Sequence, residues 1–389
     1  MRILILHNRY QAAGGEDAVV AAESHLLTAR GHEVTLIQVD NDGIVGTGAR
    51  LRALIGTPYN PARRRWAAAQ VRQIGVDVVH VHNFFPRLSP AVVDGAADAG
   101  AAVVQTLHNY RLICANGLLL RDGAVCEDCV GRVGLPAIRH RCYRNSAAGS
   151  AAVVAMQQAS RRLDLWDRPG RRLIALTQFA KGRLVAGGLP AHRIVVKPNF
   201  IDPLQDVDIA PGRSGILFVG RLSVEKGVDT LLSAAGLLPD VGFTVIGSGP
   251  EEARLRAVAP PNVVFAGALP NAAVRAQMMR ALVLVIPSIW YEGFPMTLLE
   301  AYSAGTPVIA SRIGSLPELV PEGVSGALFT PGVPIALAAA IRDMLADSSA
   351  LDRMSRASRE RVATLYDPLT NATALEAIYA AVTDEVRAA

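Results

Sequence analysis

Lysine is scarce in this chain, which holds only Lys181, Lys197 and Lys226 against a combined lysine and arginine count of 39. Arginine therefore carries the formal net charge of +5. That excess would suit an anionic substrate, a nucleic acid or an anionic membrane surface. Most basic residues are scattered; Arg63, Arg64 and Arg65 and the run from Arg132 to Arg144 are the exceptions. Neither group alternates with the aromatic rings on which single-stranded bases stack, which argues against a nucleic-acid partner. Long apolar runs are missing too. The chain is 51% apolar, yet every run is short and interrupted, so none reads as a transmembrane helix. The start, MRILILHNRY, has too short an apolar stretch for a secretory signal, and a cytoplasmic location is the expectation. The segment from Leu51 to Arg72, with Trp66 and several arginines, suits either a peripheral contact with an anionic membrane or a solvated helix face.

What is present is a repeated alternation of strands and helices. A length of 389 residues suits two domains, since one core of that size would be unusual. Strands are expected at residues 2–6, 33–39, 77–81 and 102–107, with helices between them, hence a parallel sheet. His7, His82 and His108 then fall at strand ends on one sheet edge, where α/β proteins form pockets. Gly14 and Gly15 precede a helix expected from Ala18 to Ala29 and serve either the turn geometry or a substrate loop. Further strands are expected at 172–176 and 194–196, and a linker poor in periodicity follows at 201–214.

Cysteine is confined to one stretch that interrupts the repeat. Cys114, the CxxC pair Cys126 and Cys129, and Cys142 all lie between Tyr110 and Ser146. A reducing compartment disfavours disulfides, whereas four thiolates fit a tetrahedral zinc site that would order a segment with little core of its own. Free or buried thiols, a redox pair and another cluster such as an iron–sulfur centre are the alternatives, and His140 is a substitute ligand.

The second half restarts the alternation with a strand at 215–219, followed by GRLSVEKGVDTLL. There Arg221 and Lys226 flank a loop entering a helix, a cationic pair suited to phosphate. A strand at 241–246 runs into Gly247, Ser248 and Gly249, whose amides could receive an anion. Strands are expected at 262–266, 281–286 and 307–310, with helices at 271–280, 335–345, 351–365 and 370–386. Between two of these strands lies IPSIWYEGFPMTLLEAYSAGTPVIAS, carrying Glu292 in a loop and Glu300 in a helix that Thr297 is expected to cap.

On EGFPMTLLEAYSAGTPVIAS and its E-x7-E pair, Glu292 and Glu300, the chain resembles the retaining, nucleotide-sugar-dependent glycosyltransferases of family 4, also called glycosyl transferases group 1. The resemblance covers nearly the full chain. It implies the GT-B fold, an α/β architecture of two Rossmann-like domains facing each other across a deep cleft, here with the cysteine-bearing insertion 111–146 in the first. The domains implied are 1–200 on the acceptor side and 201–370 on the nucleotide-sugar side, with a terminal helix at 371–389 crossing back.

The resemblance also assigns roles. Glu300 would accept the donor ribose hydroxyls. Glu292, with the backbone at Gly293, Phe294 and Met296, would contact the donor sugar. Arg221 and Lys226 would clamp the diphosphate, Gly247, Ser248 and Gly249 would lie near the nucleotide, and the Gly14–Gly15 loop would approach the diphosphate. His108 would stand near donor sugar and acceptor; the family usually has aspartate after it, but Asn109 follows here, which weakens any claim of a polarised base. No catalytic metal is expected, because the two cations supply the charge; the DxD triplet Asp206, Val207 and Asp208 reads as solvated linker. The partners implied are a nucleotide sugar and a glycan, polyprenyl-linked or small-molecule acceptor, in polysaccharide biosynthesis or natural-product chemistry. A non-catalytic nucleotide-binding protein is the alternative of a different class.

Overall fold

A computed structural model describes residues 1–9, 14–42, 44–204 and 212–388. The chain divides into two compact units. The first holds residues 1–119, 127–199 and 371–389; the second holds 120–126 and 200–370.

The first unit is built on six strands: β1 (Arg2–Asn8), β2 (Glu33–Val39), β3 (Val78–Asn83), β4 (Ala102–Leu107), and then β7 (Arg171–Ala175) and β8 (Ile194–Val196), with the short hairpin β5 (Leu120–Arg121) and β6 (Ala124–Val125) intervening in the chain. The six strands lie parallel in the order β2-β1-β3-β4-β7-β8. Every residue of β3 and β4 is buried. Burial along their whole length is what a parallel sheet covered on both faces produces. The terminal helix Pro368–Ala388 contributes Leu375, Tyr379 and Val382 to the same core as Ile3, Ile5, Val20 and Val104.

The second unit carries β9 (Ile216–Val219), β10 (Phe243–Ile246), β11 (Val263–Gly267), β12 (Val283–Ile286), β13 (Val308–Ser311) and β14 (Gly326–Phe329). Their order is β11-β10-β9-β12-β13-β14, all parallel. This is the doubly wound order of a dinucleotide-binding fold, with its reversal between β9 and β12. Both units are thus Rossmann-like, and each has a switch point where ligand-binding loops diverge: β1/β3 in the first, β9/β12 in the second.

Several expected boundaries move for local reasons. The first helix starts at Gly15 rather than Ala18, because extended Gly14 is its cap and donates its amide to Asp17 Oδ2 at 2.9 Å. β3 runs on to Asn83, so His82 lies within the strand instead of following it. Thr297 does not cap its helix: Pro295 occupies the cap of Met296–Ser303, its ring holding φ at −71° with an extended ψ of 116°. Ser146 caps the helix Ala147–Arg162, accepting from the Gly149 amide. The triplet Asp206, Val207 and Asp208 lies outside the described residues.

Candidate active site

In the second unit the switch point gathers most of the expected donor-binding residues. After β9 the chain turns through Gly220 and Arg221 into a short 3-10 turn, Val224–Lys226, and then the helix Val228–Gly236. Beyond β12 the loop carries Ser288, Trp290 and Glu292. The two loops are pinned together. Ile289 N donates to Glu225 O at 3.0 Å, and a Cβ on Gly227 would stand 2.0 Å from the Pro287 carbonyl oxygen.

This brings Lys226 Nζ to 2.7 Å from Glu292 Oε1 and to 5.5 Å from the Trp290 ring. Ser288 Oγ donates to the same Oε1 at 2.6 Å, and Ser315 Oγ donates to the Glu292 backbone carbonyl at 2.6 Å. Glu292 is buried and held at both ends, whereas Arg221 is exposed. Glu300 stands half-buried on the following helix, its carboxyl raised by burial, which the Arg275 charge only partly offsets. Phe294 is buried edge-on against Tyr366, and Met296 opens the helix.

The glycine turn packs onto the Arg221 loop. Leu222 N donates to Ser248 O at 2.9 Å, and a Cβ on Gly247 or Gly249 would fall 1.9 or 2.3 Å from the Gly220 or Leu222 carbonyl oxygen. Gly247 also has φ of 137°, so glycine is needed on both counts.

In the first unit, β3 and β4 end in a polar network that is almost wholly buried. Glu23 projects from the first helix, and its Oε1 lies 3.0 Å from His80 Nδ1 and 3.1 Å from His82 Nε2. Lys197 Nζ is 3.3 Å from Glu23 Oε2 and 2.7 Å from Asn371 Oδ1. Burial alone would raise the Glu23 carboxyl, but Lys197 and the two imidazoles outweigh it and hold it well below the usual range. Tyr379 OH and Thr106 Oγ1 complete the surroundings of His80 at 2.7 and 2.8 Å. His82 Nδ1 then lies 3.0 Å from Nε2 of half-buried His108. Among the described residues, Glu23, His80 and His82 form the group of metal-ligating side chains whose atoms all lie within 4.8 Å of one another. That spacing could hold a cation, but it would sit beside the Lys197 ammonium and have to displace both imidazole protons.

Residues 13–204 match the family model Glycosyltransferase Family 4, and residues 204–361 match Glycosyl transferases group 1. The chain belongs to these glycosyltransferases. Glycogen synthase of Mycobacterium tuberculosis is 37% identical over 179 residues, 44% of this chain and 43% of that protein. D-inositol 3-phosphate glycosyltransferase of Mycolicibacterium vanbaalenii is 34% identical over 316 residues, 74% of this chain and 63% of that protein. The alignment thus spans less than half of the first relative and under two thirds of the second. In fold, sucrose-phosphate synthase from Thermosynechococcus elongatus superposes with a TM-score of 0.71 at 18% identity, covering 97% of this chain and 98% of that one.

Within this glycosyltransferase frame the first unit offers a cavity of about 680 Å³. Ile44, Leu54, Phe85 and Val153 give it an apolar wall, and Arg50, Arg111 and Arg144 bring cations, while among the described residues its lining includes no carboxylate. The Arg111 guanidinium lies 4.5 Å over the Phe85 ring with Nε buried and unpartnered, and Arg144 lies 5.7 Å over Tyr143. In the basic cluster, Arg63 Nε donates to the Arg87 carbonyl at 3.1 Å, and Arg64 pairs with Asp98 at 2.6 Å. Arg65 is exposed.

Of the cysteines, Cys114 is buried, its thiol pushed up by burial and its Sγ donating to Asn116 Oδ1 at 3.0 Å, a poor setting for a thiolate ligand. Cys126, Cys129 and Cys142 are half-buried.

Sequence reasoning missed Ser288, Ser315, Glu23, His80 and Lys197. Glu23 left a signal: it falls on the stripe of Val20 and Leu27, where a carboxylate on an apolar helix face needs a buried partner. The serines left none, because their partner Glu292 is reached only through the turn of the loop.

Proposed function

We propose that the protein transfers a sugar, with retention of configuration, from a nucleoside-diphosphate sugar to a hydroxyl of a glycan or lipid-linked oligosaccharide. The observation carrying this reading is the β9/β12 switch point, where Glu292, buried and held by Lys226 and Ser288, lies on the loop before the helix that carries Glu300, and exposed Arg221 lies on the loop after β9. Glu300 accepts the ribose hydroxyls. An incoming diphosphate attracts Lys226 away from Glu292, freeing that carboxylate to accept from sugar hydroxyls, while Arg221 adds a second cation.

In the reaction the bond from the anomeric carbon to the β-phosphate oxygen breaks, and a bond to the acceptor oxygen forms on the same face. The acceptor proton passes to the β-phosphate, and the charge released there is stabilised by Arg221 and Lys226. His108 of the first unit orients the hydroxyls. The arginine-bearing cavity, without carboxylates among its described lining residues, supports an acceptor that carries phosphate next to an apolar portion, and the name of the D-inositol 3-phosphate relative points to a phosphate-bearing acceptor as well. A peripheral position at the inner face of the membrane belongs to the same proposal; among the described residues no helix is long and apolar enough to cross a membrane. The structural zinc expected on Cys114, Cys126, Cys129 and Cys142 is tested by metal analysis of the purified protein; among the described residues no three of their sulfurs lie within 4.8 Å of one another.

The test is a thermal-shift screen with UDP, GDP, ADP and TDP, followed by hydrolysis of the matching nucleotide sugars. One nucleotide should stabilise the protein, and Lys226→Ala should abolish that shift while leaving the unliganded melting temperature within a few degrees. Farnesyl phosphate should bind the wild type and fail to bind Arg111→Gln. Stabilisation by no nucleotide rejects the donor site, and equal binding by Arg111→Gln rejects the acceptor cavity.

A further inference from the structure

The side chains behind His108 form a chain of hydrogen bonds whose proton positions follow from charge. Glu23 is ionised: Lys197 lies at one carboxylate oxygen, and His80 and His82 lie at the other. An ionised carboxylate only accepts hydrogen bonds, so His82 must carry its proton on Nε2, which faces it. A second proton on His82 is opposed by its complete burial, which pushes the ring down to about 4. His82 Nδ1 is therefore a bare lone pair. The atom 3.0 Å away, His108 Nε2, must supply the proton of that bond. The rings lie within 18° of parallel with centroids 5.3 Å apart, as a bond between ring nitrogens in a shared plane requires. The neighbouring titratable groups do not compete for His82 Nδ1, because His7 bonds Asp17 at 2.8 Å and His80 bonds Tyr379, Thr106 and Glu23.

We propose that Glu23 and His82 are positioning residues for the transferase reaction, fixing the His108 proton on Nε2 so that its Nδ1 accepts a hydrogen bond from a substrate hydroxyl. The proposal rests on the reading of His108 as the residue that meets substrate. It gives Glu23, reached through an intervening imidazole, the orienting job that a carboxylate directly after the histidine would otherwise do, at the position where Asn109 stands. It also makes His108 an acceptor of hydroxyl hydrogens and not a proton donor to the leaving group.

The experiment is nitrogen NMR of the full chain labelled with 15N-histidine, with the His108 signals assigned by their loss in His108→Gln. Wild type should show a neutral His108 protonated on Nε2, and His82→Phe should release it to a mixture of tautomers. A wild-type His108 protonated on Nδ1, or an unchanged tautomer in His82→Phe, overturns the proposal. These readings need no substrate, so failure of the transferase reading is seen separately. With whichever of UDP-, GDP- and ADP-glucose the wild type hydrolyses fastest, His82→Phe should cut kcat at least about tenfold and leave the donor KM within about threefold. An unchanged kcat also overturns it.

Discussion

Glu300 and Glu292 have the same side chain and different surroundings, and those surroundings separate their effects. Glu292 is locked by Lys226 and Ser288, while Glu300 is half-buried with its carboxyl raised by burial and only the Arg275 charge acting against it. A ribose contact is made equally in ground state and transition state, so its loss weakens binding without slowing the chemical step. Glu300→Gln should therefore raise the donor KM on the order of tenfold to a hundredfold, as expected for losing a charged hydrogen bond, with kcat little changed. Steady-state hydrolysis kinetics check this, and a fall in kcat at constant KM would place Glu300 at the sugar. This pair was legible from the sequence because one loop and one helix carry it, eight residues apart. The network around Glu23 was not, since its members come from residues as far apart as 23, 82, 197 and 371, and only the packed sheet brings them together.

At the scale of elements, the decisive contact is the one between the loops after β9 and β12. Gly227 has φ of 67° and its missing side chain leaves room for the Pro287 carbonyl oxygen, which a Cβ would approach to 2.0 Å. Adding a methyl group there must push the two loops apart, and Lys226 is the preceding residue. Gly227→Ala should cost about 2–4 kcal/mol of stability from backbone strain and overlap. Nucleotide affinity should fall with it, because Lys226 and Glu292 lose their register. Urea denaturation followed by nucleotide titration measures both, and a destabilised variant with unchanged affinity would separate the turn from the site. The strands themselves were readable from their apolar runs, whereas their ends were not: a proline cap at Pro295 and a strand continuing through His82 depend on hydrogen bonds that local composition does not display. Strand order is likewise set by which apolar faces pair, so the two different switch points emerged only from the sheets.

For the molecule as a whole, the buried histidines couple function to acid stability. The terminal helix Pro368–Ala388 supplies Tyr379 to His80 and Asn371 to Lys197, so the end of the chain helps close the network behind β3. In the unfolded chain His82 takes up a proton near 6.5, but in the folded chain burial pushes it down to about 4. Between these values the unfolded state binds more protons than the native state, and stability must rise with pH. The contribution is fully present above about pH 6.5 and is lost as the pH falls to about 4; for His82 alone it amounts to roughly 3 kcal/mol. His7 and His108 are also lowered by burial and act with the same sign. Glu23, held well below its ordinary carboxyl range by Lys197 and the imidazoles against the cost of burial, adds a further loss once the pH passes below about 4.5. Melting temperatures should therefore fall steadily from pH 7 to pH 4, and His82→Phe should flatten the slope between pH 6.5 and 4 even if it lowers stability at pH 7. An unaltered slope in that variant would mean that His82 keeps an ordinary affinity for protons in the folded protein, the Glu23 carboxylate offsetting the cost of burial.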